Sequence, residues 1–121
     1  MILTTKTLLQ NVVHGYPSGN YDGSSLDFFS DPVQAANYYH GRGSLQTITF
    51  NVAGFTGKIK IQASLQDTID AALWFDVDEF DCTDGPITQT YSLNAVGNFV
   101  WLRAEVIDFE AGTITLVLAT Y

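Results

Sequence analysis

From residue 44 onward, apolar side chains recur at every second position in runs broken by glycine or acidic residues, which predicts β-strands with one inward face. Ile48, Phe50 and Val52 alternate with Thr47, Thr49 and Asn51, and the run stops at Gly54. Phe55-Thr56-Gly57 reads as a turn into Lys58–Ala63, with Ile59, Ile61 and Ala63 inward and both lysines outward, so an antiparallel hairpin is expected here. Residues 65–72 suit a helical turn or a loop, and a strand over 73–80 is read from Leu73, Phe75 and Val77. Acid, glycine and proline punctuate 81–86 before a further strand over 87–93 and a turn over 94–98. The clearest strands are 99–107 and 113–121. The loop 108–112, ending in Gly112, should join them in a hairpin that anchors the core. Val100, Leu102, Ala104 and Val106 share the core parity, while Phe99, Trp101, Arg103 and Glu105 make a mixed face.

The first 43 residues are organised differently, with glycine, serine, asparagine and tyrosine spread between apolar patches. A strand is expected over 5–13, and Ser30-Asp31-Pro32 resembles a helix start leading into a short helical turn over 33–39. Between them, Tyr16, Tyr21, Phe28 and Phe29 give the loop 16–29 too much aromatic surface for a free linker, so it packs on its own sheet or on a neighbour. The expectation is one all-β domain over 1–121. Residues 44–121 form an antiparallel β-sandwich of jelly-roll type, and 1–43 lie on the sheet or on a partner.

Composition sharpens this picture. The 121 residues are 46% hydrophobic and only 15% charged, against a common value of about 25% charged, as in a sheet protein whose surface is partly covered by neighbours. Thirteen acids against five bases leave a net charge of −8, which disfavours nucleic acid as a partner. No apolar run approaches the roughly 18 residues of a membrane helix, and the start lacks the basic and apolar tracts of a signal peptide, so a soluble, not independently secreted chain is expected. Cys82 stands alone, which removes any disulfide within the chain and any zinc site built on several cysteines.

Candidate chemistry is sparse. Asp76, Asp78, Glu79, Asp81 and Asp84 form an acidic cluster that misses the EF-hand pattern, and strand alternation sends Asp76 and Asp78 to one face. Asp78, Asp81 and Asp84 holding a loop calcium is one reading. A solvated acidic edge that discourages strand pairing is the favoured one. His14 and His40 lack metal-ligand spacing, and Gly41-Arg42-Gly43 lacks both the third glycine and the βαβ setting of a dinucleotide fingerprint. Cys82 has no base nearby in sequence and reads as a passive thiol. Thus no catalytic, cofactor-binding or metal-binding residue is assigned, and a small hydrolase ranks last among the functions considered. Trp74, Trp101 and the tyrosines could stack sugars in a carbohydrate-binding module that aids adsorption to a host surface. As a partner interface, the candidates are Tyr16, Tyr21, Phe28, Phe29, Phe99 and Trp101, with Phe99 and Trp101 otherwise lying beneath the N-terminal segment.

Three stretches carry a resemblance: residues 46–52 (QTITFNV), 54–65 (GFTGKIKIQASL) and 73–77 (LWFDV), followed by a late strand with Val100-Trp101-Leu102-Arg103-Ala104 and a Thr-rich terminal strand over 113–120. In this order the chain resembles small β-sandwich virion proteins of tailed phages, over roughly residues 44 to 121. The resemblance implies a non-enzymatic structural role in the particle, with no catalytic residues carried over. Its expected partner is the major capsid protein or another virion structural protein, as a capsid decoration or cement protein or, alternatively, a tail, neck or fibre component. Self-association into a dimer or trimer is also expected.

Overall fold

The computed structural model describes residues 4–38, 45–66, 68 and 73–121. His40, the Gly41-Arg42-Gly43 motif and most of the turn expected over 65–72 lie outside these residues. The described chain is all-β and has no α-helix. Its elements are β1 (Thr5–Val13), β2 (Phe28–Phe29), β3 (Val33–Gln34), a 3-10 turn over Ala36–Tyr38, β4 (Leu45–Ser64), β5 (Phe75–Val96) and β6 (Trp101–Thr120). All strands join one open antiparallel sheet in the order β1-β6-β4-β5, with β2 and β3 added to the free side of β6.

Both expected hairpins are absent: the two runs of each form one long strand, and the separate strands expected over 73–80 and 87–93 are likewise parts of one, β5. Residues 47–63 belong to β4, which pairs along its length with β5 on one side and β6 on the other. Residues 101–107 and 113–120 likewise belong to β6, and they pair with β4 rather than with each other. The physical reason lies in the glycines. A left-handed residue closes a hairpin, but it equally makes a bulge through which a strand bends and continues. In β4 the buried positions are 46, 48, 50 and 52 before Gly54, and 55, 57, 59, 61 and 63 after it. That change of parity is the mark of an inserted bulge residue. Matching irregularities fall in β5 between Cys82 and Ile87, and in β6 near Asp108 (φ 54°) and Gly112 (φ 91°).

These bends fold the sheet over on itself. Phe80 and Tyr91 lie on one strand, and eleven extended residues would separate them by about 36 Å. Instead their rings stack with centroids 4.9 Å apart, and Phe80 also meets Phe50 of β4 at 5.3 Å. The inward faces of both halves therefore share one core, built on Ile48, Phe50, Val52, Ile59, Ile61, Leu102, Val106, Ile114 and Val117. Phe55 and Phe109, both fully buried with rings 5.7 Å apart, fill the inside of the bend.

The N-terminal segment packs on its own sheet. β1, a strand as expected, pairs with the last half of β6, and the chain then crosses the bend, where Tyr21 is buried between Phe28 and Phe109. From there it runs antiparallel along the first half of β6. Phe109 N–H donates to the Leu26 carbonyl, Ser30 and Ala104 exchange backbone and hydroxyl bonds, and Ala35 N–H donates to the Val100 carbonyl. The helical turn expected over 33–39 is thus short β3 followed by the 3-10 turn, because backbone groups at 33–35 bond to the edge of β6 instead of to one another. Gln46, fully buried, ties the open end together: Ala36 N–H donates to its Oε1 at 3.2 Å, and its Nε2 donates to the Ala95 carbonyl at 3.0 Å.

If the bend governs the fold, glycine substitutions there separate by crowding. A Cβ on Gly112 would sit 2.2 Å from the Gly54 carbonyl oxygen, whereas one on Gly54 (φ 61°) meets nothing within 4 Å. Gly54→Ala should cost only the left-handed penalty of about 1–2 kcal/mol. Gly112→Ala adds a backbone collision and should cost clearly more, and Phe109→Ala about 3–5 kcal/mol by cavity formation. Urea denaturation of the three variants checks this order.

Candidate interaction surface

At the outer face of the first half of β6 the strand alternation presents Trp101, Arg103 and Glu105, flanked by Gln62 on β4 and by the residues opening β5. Arg103 is the hub of this face. Its guanidinium lies 4.1 Å from the Phe29 ring centroid on one side and 4.4 Å from that of Trp74 on the other, a cation held between two aromatic faces. Its Nε donates to Gln62 Oε1 at 2.8 Å, and Gln62 Nε2 donates to Asp76 Oδ1 at 2.9 Å. Burial lowers the Arg103 pKa from its ordinary value and nearby Glu105 opposes that, so the guanidinium remains a cation at neutral pH.

The six residues expected at an interface divide. Tyr21, Phe28 and Phe99 are 1%, 7% and 8% exposed and sit in the chain's own core. Tyr21 Oη accepts a hydrogen bond from Gly15 N–H, and the Phe99 ring packs on Phe75 at 5.9 Å. Trp101 is half-buried against the Tyr38 ring at 5.2 Å, beneath the N-terminal segment, and its enclosed Nε1 has no hydrogen-bond partner among the described residues. Phe29 and Tyr16 keep exposed rings. Phe99 leaves the mixed face expected of it because β6 begins at Trp101, so the strand parity does not reach it.

Pattern reasoning missed the open end of the folded sheet. There the strand ends bring Tyr38, Leu45, Leu65, Leu73, Phe75 and Val96 to the surface. Leu45 pairs directly with Val96, Phe75 pairs with Ala63 and packs on Phe99, and Leu73 N–H and Ser64 Oγ both donate to Gln66 Oε1. Leu73 and Val96 are 71% and 70% exposed. The available signal was apolar residues lying just outside, or at either end of, a strand.

The acidic cluster lies along β5, an edge strand. Lys58 Nζ is 3.4 Å from Glu79 and 3.9 Å from Asp81, and Lys60 Nζ is 3.4 Å from Asp76, so the carboxylates face the lysines of β4. Asp76 and Asp78 do not share a face. A register shift opposite Ile61 and Gln62 makes Val77 a bulge, leaving Asp78 with the parity of Phe80 and Asp76 beside Lys60 and Gln62. Among the described residues no group of three or more His, Cys, Asp or Glu is arranged to hold a metal ion. Burial, then Asp81, push the Cys82 thiol upward, which favours the unreactive protonated form. Comparison with protein-family models, with curated proteins and with solved structures finds no match to this chain.

Three carboxylates are held below the ordinary aspartate range. Gln62 does this for Asp76 and the Thr83 hydroxyl for Asp81, while the Ser24 amide and Ser25 lower Asp22 to about 2. Groups depressed in the folded state contribute stability that is complete above the unfolded value near ~3.9 and is lost as pH falls through the folded value. Urea midpoints should therefore fall between pH 6 and pH 3. NMR titration of Gln62→Leu should show the Asp76 carboxyl moving up toward the ordinary range, and an unmoved Asp76 would contradict the assignment.

Proposed function

We propose that this chain is a non-enzymatic assembly protein of a tailed-phage particle, and that it attaches to the major shell protein through the apolar open end of its sheet. On this reading the folded sheet supplies both layers of a jelly-roll-like sandwich. The observation that carries the proposal is the exposure of large apolar side chains, including Leu65, Leu73 and Val96, at or just beyond the ends of β4 and β5. Large apolar side chains left at the surface mark candidate interaction sites. The resemblance of residues 44–121 to small virion proteins supplies the kind of partner. Shell decoration is placed ahead of a tail, neck or fibre position.

The carbohydrate-binding alternative needs a flat aromatic face open to a sugar ring. Trp74 gives one face to Arg103, and Trp101 is half-buried against Tyr38. Both geometries weigh against it.

Cosedimentation of the purified chain with particles that lack it tests the proposal. Wild type should bind, and the double variant Leu65→Asp, Leu73→Asp should bind at least ~10-fold more weakly, since each change buries a charge in an apolar contact. Both sites are exposed, so the variant should keep wild-type stability. Equal binding by the two proteins, or none by wild type, would contradict the assignment.

A further inference from the structure

A sheet with open edges must keep them from pairing with other chains, and the devices are charge, proline and bulges. Among the described residues this sheet has two long edges, β1 and β5. β1 is guarded: it carries a bulge between Thr7 and Leu9, a left-handed residue at Asn11 (φ 51°) and Lys6. The first half of β5 is guarded as well, by the acids from Asp76 to Asp84 and by Pro86, which has no N–H for a ladder. The second half of β5 carries none of these devices. Residues 87–95 (ITQTYSLNA) contain no charge, proline or glycine, follow an unbroken register against β4 from Gln89 to Val96, and bond on that one side only. Thr88, Gln89, Thr90, Tyr91, Ser92 and Asn94 are all exposed.

We infer that residues 87–95 of β5 are a self-pairing edge, at which two copies of this chain join antiparallel into one continuous sheet. The strip's own side chains select a second copy as the occupant: net charge −8 opposes contact between copies wherever carboxylates meet, and this edge, with no charge from Gly85 to Leu102 and with hydroxyl and amide groups that can pair with one another, brings none together. The strip's limits set the register. Centring the two-fold axis on Tyr91 pairs the whole of 87–95 with itself and keeps Asp84 and Pro86 out of the ladder. Thr90 then faces Ser92 of the other copy, and Thr88 faces Asn94, each pair able to donate and accept. The half-exposed Tyr91 ring, already stacked on Phe80, meets its equivalent across the axis. This pairing uses the β5 edge, away from the apolar contacts of Leu65 and Leu73, and it stands or falls independently of what the open end binds.

Sedimentation equilibrium of the full chain reads the outcome directly. At about 100 µM, wild type should sediment as a dimer of twice 13.3 kDa. Thr90→Lys with Ser92→Lys sets like charges opposite each other in the proposed register, and should weaken dimerisation by at least ~10-fold with unchanged far-UV circular dichroism. Thr5→Lys, on the β1 edge, should leave the dimer intact. Amide exchange of 88–94 should slow with concentration in wild type and not in the double lysine variant. A wild type that stays monomeric, a double lysine variant that stays dimeric, or a dimer lost with Thr5→Lys would each overturn the inference.

Discussion

The structure depends on one constraint, the sharp bend that three neighbouring long strands must make at the same level. β4, β5 and β6 each run for about twenty residues, and a flat sheet of that length would leave one whole face of Ile, Val, Leu and Phe in water. The bulges at the middle of each strand bring the two halves together, so the same face becomes the interior. Gly57 and Gly112 are there because the backbones of adjacent strands approach too closely for a Cβ: one on Gly57 would lie 2.9 Å from the Asp108 carbonyl oxygen. Phe55 and Phe109 fill the space inside the bend.

Folding a sheet over leaves two sides and an end to be managed. The N-terminal segment covers one side, laying β1, the Tyr21 crossing and β2–β3 along β6. The β5 side is guarded over only half its length. At the end opposite the bend the strands simply stop, and the apolar residues that close their alternation are left at the surface. Gln46 holds that end together by bridging Ala36 and Ala95. The partner surfaces inferred for the chain are in this sense by-products of the bend.

Much of the core was legible in the sequence, because a period of two is a local signal. Ile48, Phe50, Val52, Ile59, Ile61, Leu102, Ala104 and Val106 all point inward as the alternation requires, and β1 has its expected limits. The connectivity was not legible, since Gly54, Gly57 and Gly112 permit a hairpin and a bent strand equally well. The choice between them is made by pairing partners distant in sequence, such as Cys82 opposite Gly57 and Ala111 opposite Thr56. The parity change within β4, from even to odd buried positions, was the one local sign of a bulge. For the candidate surface, Phe29 and Trp101 were legible as aromatics with no core role in the pattern. The Arg103 stack was not, because it joins residues from three separate stretches of chain, and neither was the apolar end, whose residues sit where alternation ceases.

If the chain attaches to a repeating shell, its copy number follows that of the shell protein. On the proposed reading, quantitative mass spectrometry of purified particles would measure this chain against the major shell protein. A shell-decorating role predicts copies in proportion to the shell lattice. Absence of the chain from the particle would contradict the account, and a few copies per particle would contradict decoration and move the attachment to the tail or neck.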